Sequence, residues 1–214
     1  MDQGLVQFGL TAFVTLLVVV DPPGVVPVFV ALTEGADAAE RRATGRRAIV
    51  VALLVALFFL VAGRSLLSYL GVTIHAFSIS GGVLLFATAL PMLFGHRGGL
   101  QAPERGEQPT AGEDIAIFPL AIPLLSGPGA IASILLLTSQ ANGDLRRLAA
   151  LGVAVILVYG VTLVMLRAGG SLMARIGEGK VHIVTRVMGI ILAALAVQFI
   201  LNGVTAYYDS LASR

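Results

Sequence analysis

Cysteine and tryptophan are both missing from the 214 residues. The first absence excludes disulfides and thiolate metal sites. The second, with four tyrosines remaining, leaves little material for an aromatic belt. Charge is scarce too: 12% of the residues are charged, where a soluble domain carries about 25%. Period-2 alternation is absent, so a β-barrel is not expected. The start, Met1-Asp2-Gln3, has no basic residue, and a cleaved signal peptide is not expected. No Gly-Lys-Ser/Thr phosphate loop suggests a nucleotide drive. The histidines, His75, His96 and His182, fall near the ends of apolar runs and read as solvated loop residues, so neither a metal nor a cofactor is expected. The arginines sit beside the apolar runs instead of forming one patch, which argues against nucleic acid.

What the chain has is apolar length: 57% of it is hydrophobic. Several runs exceed the roughly 18 residues that mark a transmembrane helix. Six spans are predicted: Leu5–Leu32, Ala48–Leu70, His75–Phe94, Ile115–Thr138, Leu148–Leu166 and Val181–Val204. A polar loop is expected over Thr33–Arg47 and a hydrophilic linker over 96–114. The fold class is therefore an all-α polytopic membrane protein embedded in the lipid bilayer. Six spans put both termini on one side. With the termini outside, ten of the 14 Lys and Arg residues lie on or next to inside loops. That asymmetry predicts both termini outside a bacterial cytoplasmic (inner) membrane.

Two runs contain residues that should stop a helix. Asp21-Pro22-Pro23-Gly24 interrupts the first and Ser126-Gly127-Pro128-Gly129 the fourth. Proline removes a backbone donor and glycine eases departure from helical geometry. A shift of 105 residues superposes these breaks, together with Thr33 on Thr138 and Arg41-Arg42 on Arg146-Arg147. A shift of 107 places Gly82 on Gly189 and Ser78 on Thr185. The chain thus reads as two three-helix repeats, 1–95 and 115–214. An odd span count makes them inverted, a plan common among secondary transporters.

In hydrocarbon a freed N–H or C=O must find a partner, so irregular backbone at mid-depth is tolerated only inside protein or facing a water-filled cavity. A half-helix starting at a break offers N–H groups to a carboxylate; one ending there offers carbonyls to an ammonium. Two such breaks suit a small zwitterion. The alternative is a pair of kinks that only shape the helices. Asp21 adds a charge costing about 2.5 kcal/mol or more at mid-membrane. It is a candidate for binding an ammonium, for carrying a coupling proton, or for capping the next half-helix. Ser126 is the equivalent cap candidate. Ser78 with Gly82, and Gly189 with Ala193, form small-xxx-small pairs suited to helix packing. Gln198 and Asn202 are expected to hydrogen-bond between helices. Arg186 is expected to snorkel to the membrane edge instead of pairing with Asp21. An aspartyl hydrolase would need a second carboxylate in a span, and nothing is placed to activate Ser126 as a nucleophile. No enzymatic activity is expected.

These pieces resemble the MarC family of integral membrane proteins. The resemblance rests on Asp21-Pro22-Pro23-Gly24 with Pro27 and Phe29, and on Ser78-Ile79-Ser80-Gly81-Gly82. It continues in the run from Phe118 through Pro123, Ser126 and Gly129 to Ile131, in Arg186-Val187-Met188-Gly189, and in Ala196-Val197-Gln198-Phe199. It implies six spans and transport of small neutral amino acids such as glycine or alanine, driven by protons. The two breaks would hold such a substrate between Asp21, Pro22, Pro23 and Gly24 and Ser126, Gly127, Pro128 and Gly129. Val25 stands where the family commonly has Asn, and Ser126 where a small apolar residue is usual. A channel or a non-transporting membrane scaffold is the alternative function.

Overall fold

The structure, a computed structural model, describes residues 3–94, 114–176 and 178–212. Helix α1 (Gln3–Val20) stops at Asp21 and α2 (Pro22–Leu32) resumes the run. Helices α3 (Ala38–Tyr69) and α4 (Ile74–Phe94) complete the first half. The second half opens on a wide coil, Ala116–Leu125, followed by α5 (Pro128–Gln140), α6 (Leu145–Ile176) and α7 (Glu178–Ala212). All regular structure among the described residues is helical, as the composition predicts. The expected linker lies outside the described residues except for Asp114.

The polar stretch Thr33–Arg47 is not the loop that its charge suggests. Helix α3 begins at Ala38, so Arg41, Arg42, Arg46 and Arg47 sit on its first turns. A capping box is the reason. The Asp37 carboxylate accepts from the N–H groups of Ala39 (2.7 Å) and Glu40 (2.8 Å), and the Glu40 carboxylate accepts from the Asp37 N–H (3.2 Å). The Glu40 and Ala39 N–H groups hold the Asp37 carboxyl below its usual range, with Arg42 adding to the effect. Because the folded value is depressed, the stabilisation is present above the ordinary aspartate range and fades as pH falls through the depressed value. Asp37→Ala should therefore lower the unfolding midpoint at neutral pH. The gap to the parent should close in acid, as read by circular dichroism melts at the two pH values.

The surface carries apolar stripes that water would not tolerate. Val6, Leu10 and Val14 are exposed on α1, Leu54, Phe58 and Val61 on α3, and Ile183, Val187 and Ile190 on α7. Five helical runs are long and apolar enough to cross a membrane: Gln3–Leu32, Ala38–Tyr69, His75–Phe94, Leu145–Gly169 and Ile183–Leu211. The coil Ala116–Leu125 and α5 form a sixth candidate, bent by 52°. Two contacts tie down the ends of this bent pair. Its start is tied to the beginning of α3 by the Arg47–Asp114 ion pair. Beyond its end, the Arg147 guanidinium lies over the Phe8 ring, 5.9 Å from the centroid. The described residues thus offer five candidate crossings, or six if the bent pair is counted as one.

The packing is reciprocal between the halves. Helices α4 and α7 run antiparallel and fit through glycines. A methyl group built on Gly82 would lie 2.7 Å from the Ala196 carbonyl oxygen, and one on Gly189 3.4 Å from that of Ala89. Both pairs are related by the 107-residue shift. Ser78 donates to the Phe199 carbonyl at 2.8 Å, and Gly203 faces the His75 carbonyl. Ser78, Gly82 and Gly189 thus serve helix contact, as their spacing predicts. The broken spans are exchanged. The α1–α2 run lies along α6, with Gly9 beside Ala150 and Gly169 beside Val26 and Val30. The Ala116–Gln140 run lies along α3, with Ser126 bonded to Ala52 and Gly63 under Leu135. One buried cluster draws on both halves, joining Val20, Val25, Phe29 and Ala52 to Leu120, Leu125 and Val158.

Candidate functional site at the two helix breaks

At the first break a single residue leaves helical geometry. Asp21 adopts the left-handed conformation, φ 46° and ψ 63°, which Asp tolerates better than most residues. The hydrogen bonds close again around it: Asp21 N–H donates to Leu17 (3.1 Å) and Val25 N–H to Asp21 (3.1 Å). The axis continues, and Gln3–Leu32 remains one 30-residue span. Pro22 and Pro23 have no N–H, so the carbonyls of Val18 and Val19 lose their helical donors. The Asp21 side chain makes no capping hydrogen bond of full geometry to α2, although its carboxylate lies against the Gly24 N–H. One oxygen, Oδ2, sits over Gly24, where a methyl group would overlap it. The other, Oδ1, is buried without a hydrogen-bond partner among the described residues.

The second break is sharper. Phe118 and Ile122 are extended residues preceding Pro119 and Pro123, as expected before proline. The chain then turns at Ser126 into α5, whose first residues are Pro128 and Gly129. Ser126 does not cap α5 either; Gly127 occupies that position. Its hydroxyl donates to the Ala52 carbonyl of α3 (3.1 Å). Tyr159 of α6 donates to the Leu125 carbonyl (3.1 Å). Both hydroxyl protons are thereby committed, which leaves the 3.4 Å approach of Ser126 Oγ to Tyr159 Oη as a close contact. A cavity of about 470 Å³ opens beside this break, lined by Ser126, Ile122 and Ile131 and by Leu54 and Phe58 of α3.

The breaks approach each other through their neighbours. A methyl group on Gly129 would meet Leu85 (2.9 Å), Val19 (3.5 Å) and the Thr88 hydroxyl (3.7 Å). Val19 is two residues from Asp21, so the start of α5 abuts the end of α1. On the other side, Gly24 faces the Thr185 hydroxyl at 3.4 Å. Helices α4 and α7 thus present Thr88 and Thr185 to Gly129 and Gly24 respectively. Ser133 Oγ, one turn beyond Gly129, is also buried without a partner. Arg186 is exposed on α7. Gln198 and Asn202 bond to each other along α7 at 2.8 Å. The expected interhelical bond is replaced by an i, i+4 pair in which Gln198 Nε2 donates to Asn202 Oδ1.

The family model of the MarC family integral membrane proteins matches residues 6–208. The chain belongs to the MarC family. Its relatives include the inner membrane protein YhgN of Escherichia coli K12, 36% identical over 199 residues that cover 91% of this chain and 95% of YhgN. A membrane protein of Archaeoglobus fulgidus is 35% identical, covering 94% and 93%. YvbG of Bacillus subtilis is 32% identical, covering 97% and 99%. No solved structure matches the chain.

In this MarC family chain, Tyr159, Thr88 and Thr185 are site neighbours that the reading of the sequence passed over. Thr185 carried a signal, since the 107-residue shift pairs it with Ser78. Tyr159 carried none, because its partners lie 33 and 34 residues away. Tyr159→Phe leaves the buried Leu125 carbonyl without its donor. The expected cost is about 1–2 kcal/mol, read as a lower unfolding midpoint in detergent.

Proposed function

We propose that this MarC family chain is a proton-coupled secondary transporter of small neutral amino acids of the glycine and alanine size. The observation that carries the reading is Asp21. A carboxylate at mid-span, with one buried oxygen that no group among the described residues satisfies, is costly unless a proton or a ligand ammonium completes it. Around it lie a half-helix start free of side-chain caps, two carbonyls released by Pro22 and Pro23, and the Thr185 hydroxyl. Gly129 brings the second break to Val19, so substrate held there touches both halves. Close backbone and branched side chains leave room for a small ligand only.

Residues 1–95 and 115–214 act as inverted three-helix repeats that rock about the α4–α7 seam, giving access alternately to each side. The reciprocal contacts of Gly82 and Gly189 and the exchange of the broken spans support this symmetry. The arginine-rich start of α3 supports a first loop inside and both termini outside. The printed name of YhgN supports a cytoplasmic (inner) membrane. The substrate is a zwitterion, the coupling partner a proton, and no chemistry is performed.

The test is radiolabelled glycine or alanine uptake into vesicles holding the purified protein, with and without an imposed pH gradient. Gradient-dependent accumulation is expected. Downhill flux indifferent to the gradient would indicate a channel, and no flux a scaffold.

A further inference from the structure

A second polar site lies away from the breaks, where α2, the start of α3 and the end of α6 meet. It is a cavity of about 350 Å³ whose walls carry Arg41, Arg42 and Arg167 above an apolar floor of Phe29, Leu163 and Leu166. Arg41 donates to the Thr33 carbonyl through Nη2 (3.2 Å), yet its Nε is buried without a partner among the described residues. Among the described residues Arg42 donates to the Ala38 carbonyl (2.8 Å). A guanidinium has five N–H donors, so most of the donor capacity here is unspent. The acids on the same turn, Asp37 and Glu40, are occupied by the capping box, although Asp37 still feels the Arg42 charge.

The corresponding arginines of the second half are differently employed. Arg147 lies 3.8 Å from the Asp144 carboxylate, donates to the Gln140 carbonyl and covers the Phe8 ring. The cationic cavity therefore belongs to one face of the membrane protein, the face with the arginine excess. Guanidinium forks match phosphate oxygens. A free anion has no use for a floor of Phe and Leu, whereas a phospholipid brings a phosphate and a greasy stem together. Basic pockets between spans at this depth are suited to anionic headgroups.

We propose that Arg41, Arg42 and Arg167 bind the phosphate of an anionic phospholipid, with Phe29, Leu163 and Leu166 receiving its glycerol and upper acyl chains. The site is independent of the transport reading. To test it, the protein is purified in uncharged detergent and melted by circular dichroism with phosphatidylglycerol, phosphatidylcholine or inorganic phosphate at equal concentration. Phosphatidylglycerol alone should raise the midpoint, by several degrees. Arg167→Gln, at an exposed side chain, should keep the lipid-free midpoint and lose most of that rise; Arg41→Gln should lose it as well. An equal rise with phosphatidylcholine would overturn the proposal. So would an equal rise with inorganic phosphate, which would make this a soluble-anion site, and so would a phosphatidylglycerol response that Arg167→Gln leaves intact.

Discussion

Gly82→Leu should prevent the protein from accumulating in the membrane, and Gly189→Leu should do the same. A methyl group at Gly82 already falls 2.6 Å from Ile200 and 2.7 Å from the Ala196 carbonyl oxygen. The second of these is backbone and cannot swing aside. At Gly189 the obstruction is Met92 Cβ at 2.9 Å with the Leu93 N–H behind it. Leucine adds three more carbons to that overlap. Overpacking commonly costs about 1–3 kcal/mol, and more where backbone must part. Here the separation of α4 from α7 would also release the Ser78–Phe199 hydrogen bond, so a loss of about 3 kcal/mol or more is expected. Gly160→Ala is the control. Nothing lies within 4 Å of a methyl group there, and exchanging Gly for Ala in a helix should gain up to about 1 kcal/mol. Membrane yield and detergent melting midpoints of the three variants decide the matter.

Cutting the chain between Phe94 and Asp114 should give two fragments that fail separately and succeed together. The contacts explain why. Helices α1 and α2 pack on α6, the Ala116–Leu125 coil and α5 pack on α3, and α4 packs on α7. Nearly every large helix interface therefore crosses from one half to the other. Residues 1–94 alone would leave Val20, Val25, Phe29 and Ala52 without Leu120, Leu125 and Val158. They would also leave the freed backbone at Asp21 facing lipid, which hydrocarbon penalises by several kcal/mol per unpaired group. Each fragment expressed singly should be degraded. Co-expression should restore a complex that co-purifies through a tag on one fragment. Stable single fragments would mean that the halves fold as separate units.

Much of this architecture was legible along the chain. The six apolar runs, both breaks and the Gly82–Gly189 equivalence follow from composition and offset alone, because lipid imposes length and proline imposes interruption. The start of α3 was misread because charge was taken for a loop, although Asp37 and Glu40 spell the capping box that begins the helix. The roles of Asp21 and Ser126 were harder. Both residues look like caps, yet Asp21 is turned into the left-handed region and Ser126 is drawn sideways to Ala52. Tertiary partners decided those outcomes, and local sequence does not name such partners. The exchange of broken spans between the halves was invisible for the same reason. A repeat offset gives equivalence, and only packing tells which helix of which half is adjacent.

The asymmetry between the breaks follows from the same comparison. Each has a proline and a glycine, but only the first has a carboxylate, and only the first keeps its axis. The second is bent and pinned by Tyr159 and Ser126. A rigid elbow opposite a charged hinge would let one half hold the substrate while the other senses protons.

The measurement that bears most directly on this account compares two modes of transport in vesicles holding Asp21→Asn. One is accumulation of labelled alanine driven by a pH gradient; the other is exchange of labelled for unlabelled alanine without a gradient. If Asp21 carries the coupling proton, the variant keeps exchange and loses gradient-driven accumulation, while the parent protein performs both. Accumulation at the parental rate in Asp21→Asn would contradict the account, since the buried carboxylate would then be dispensable to coupling.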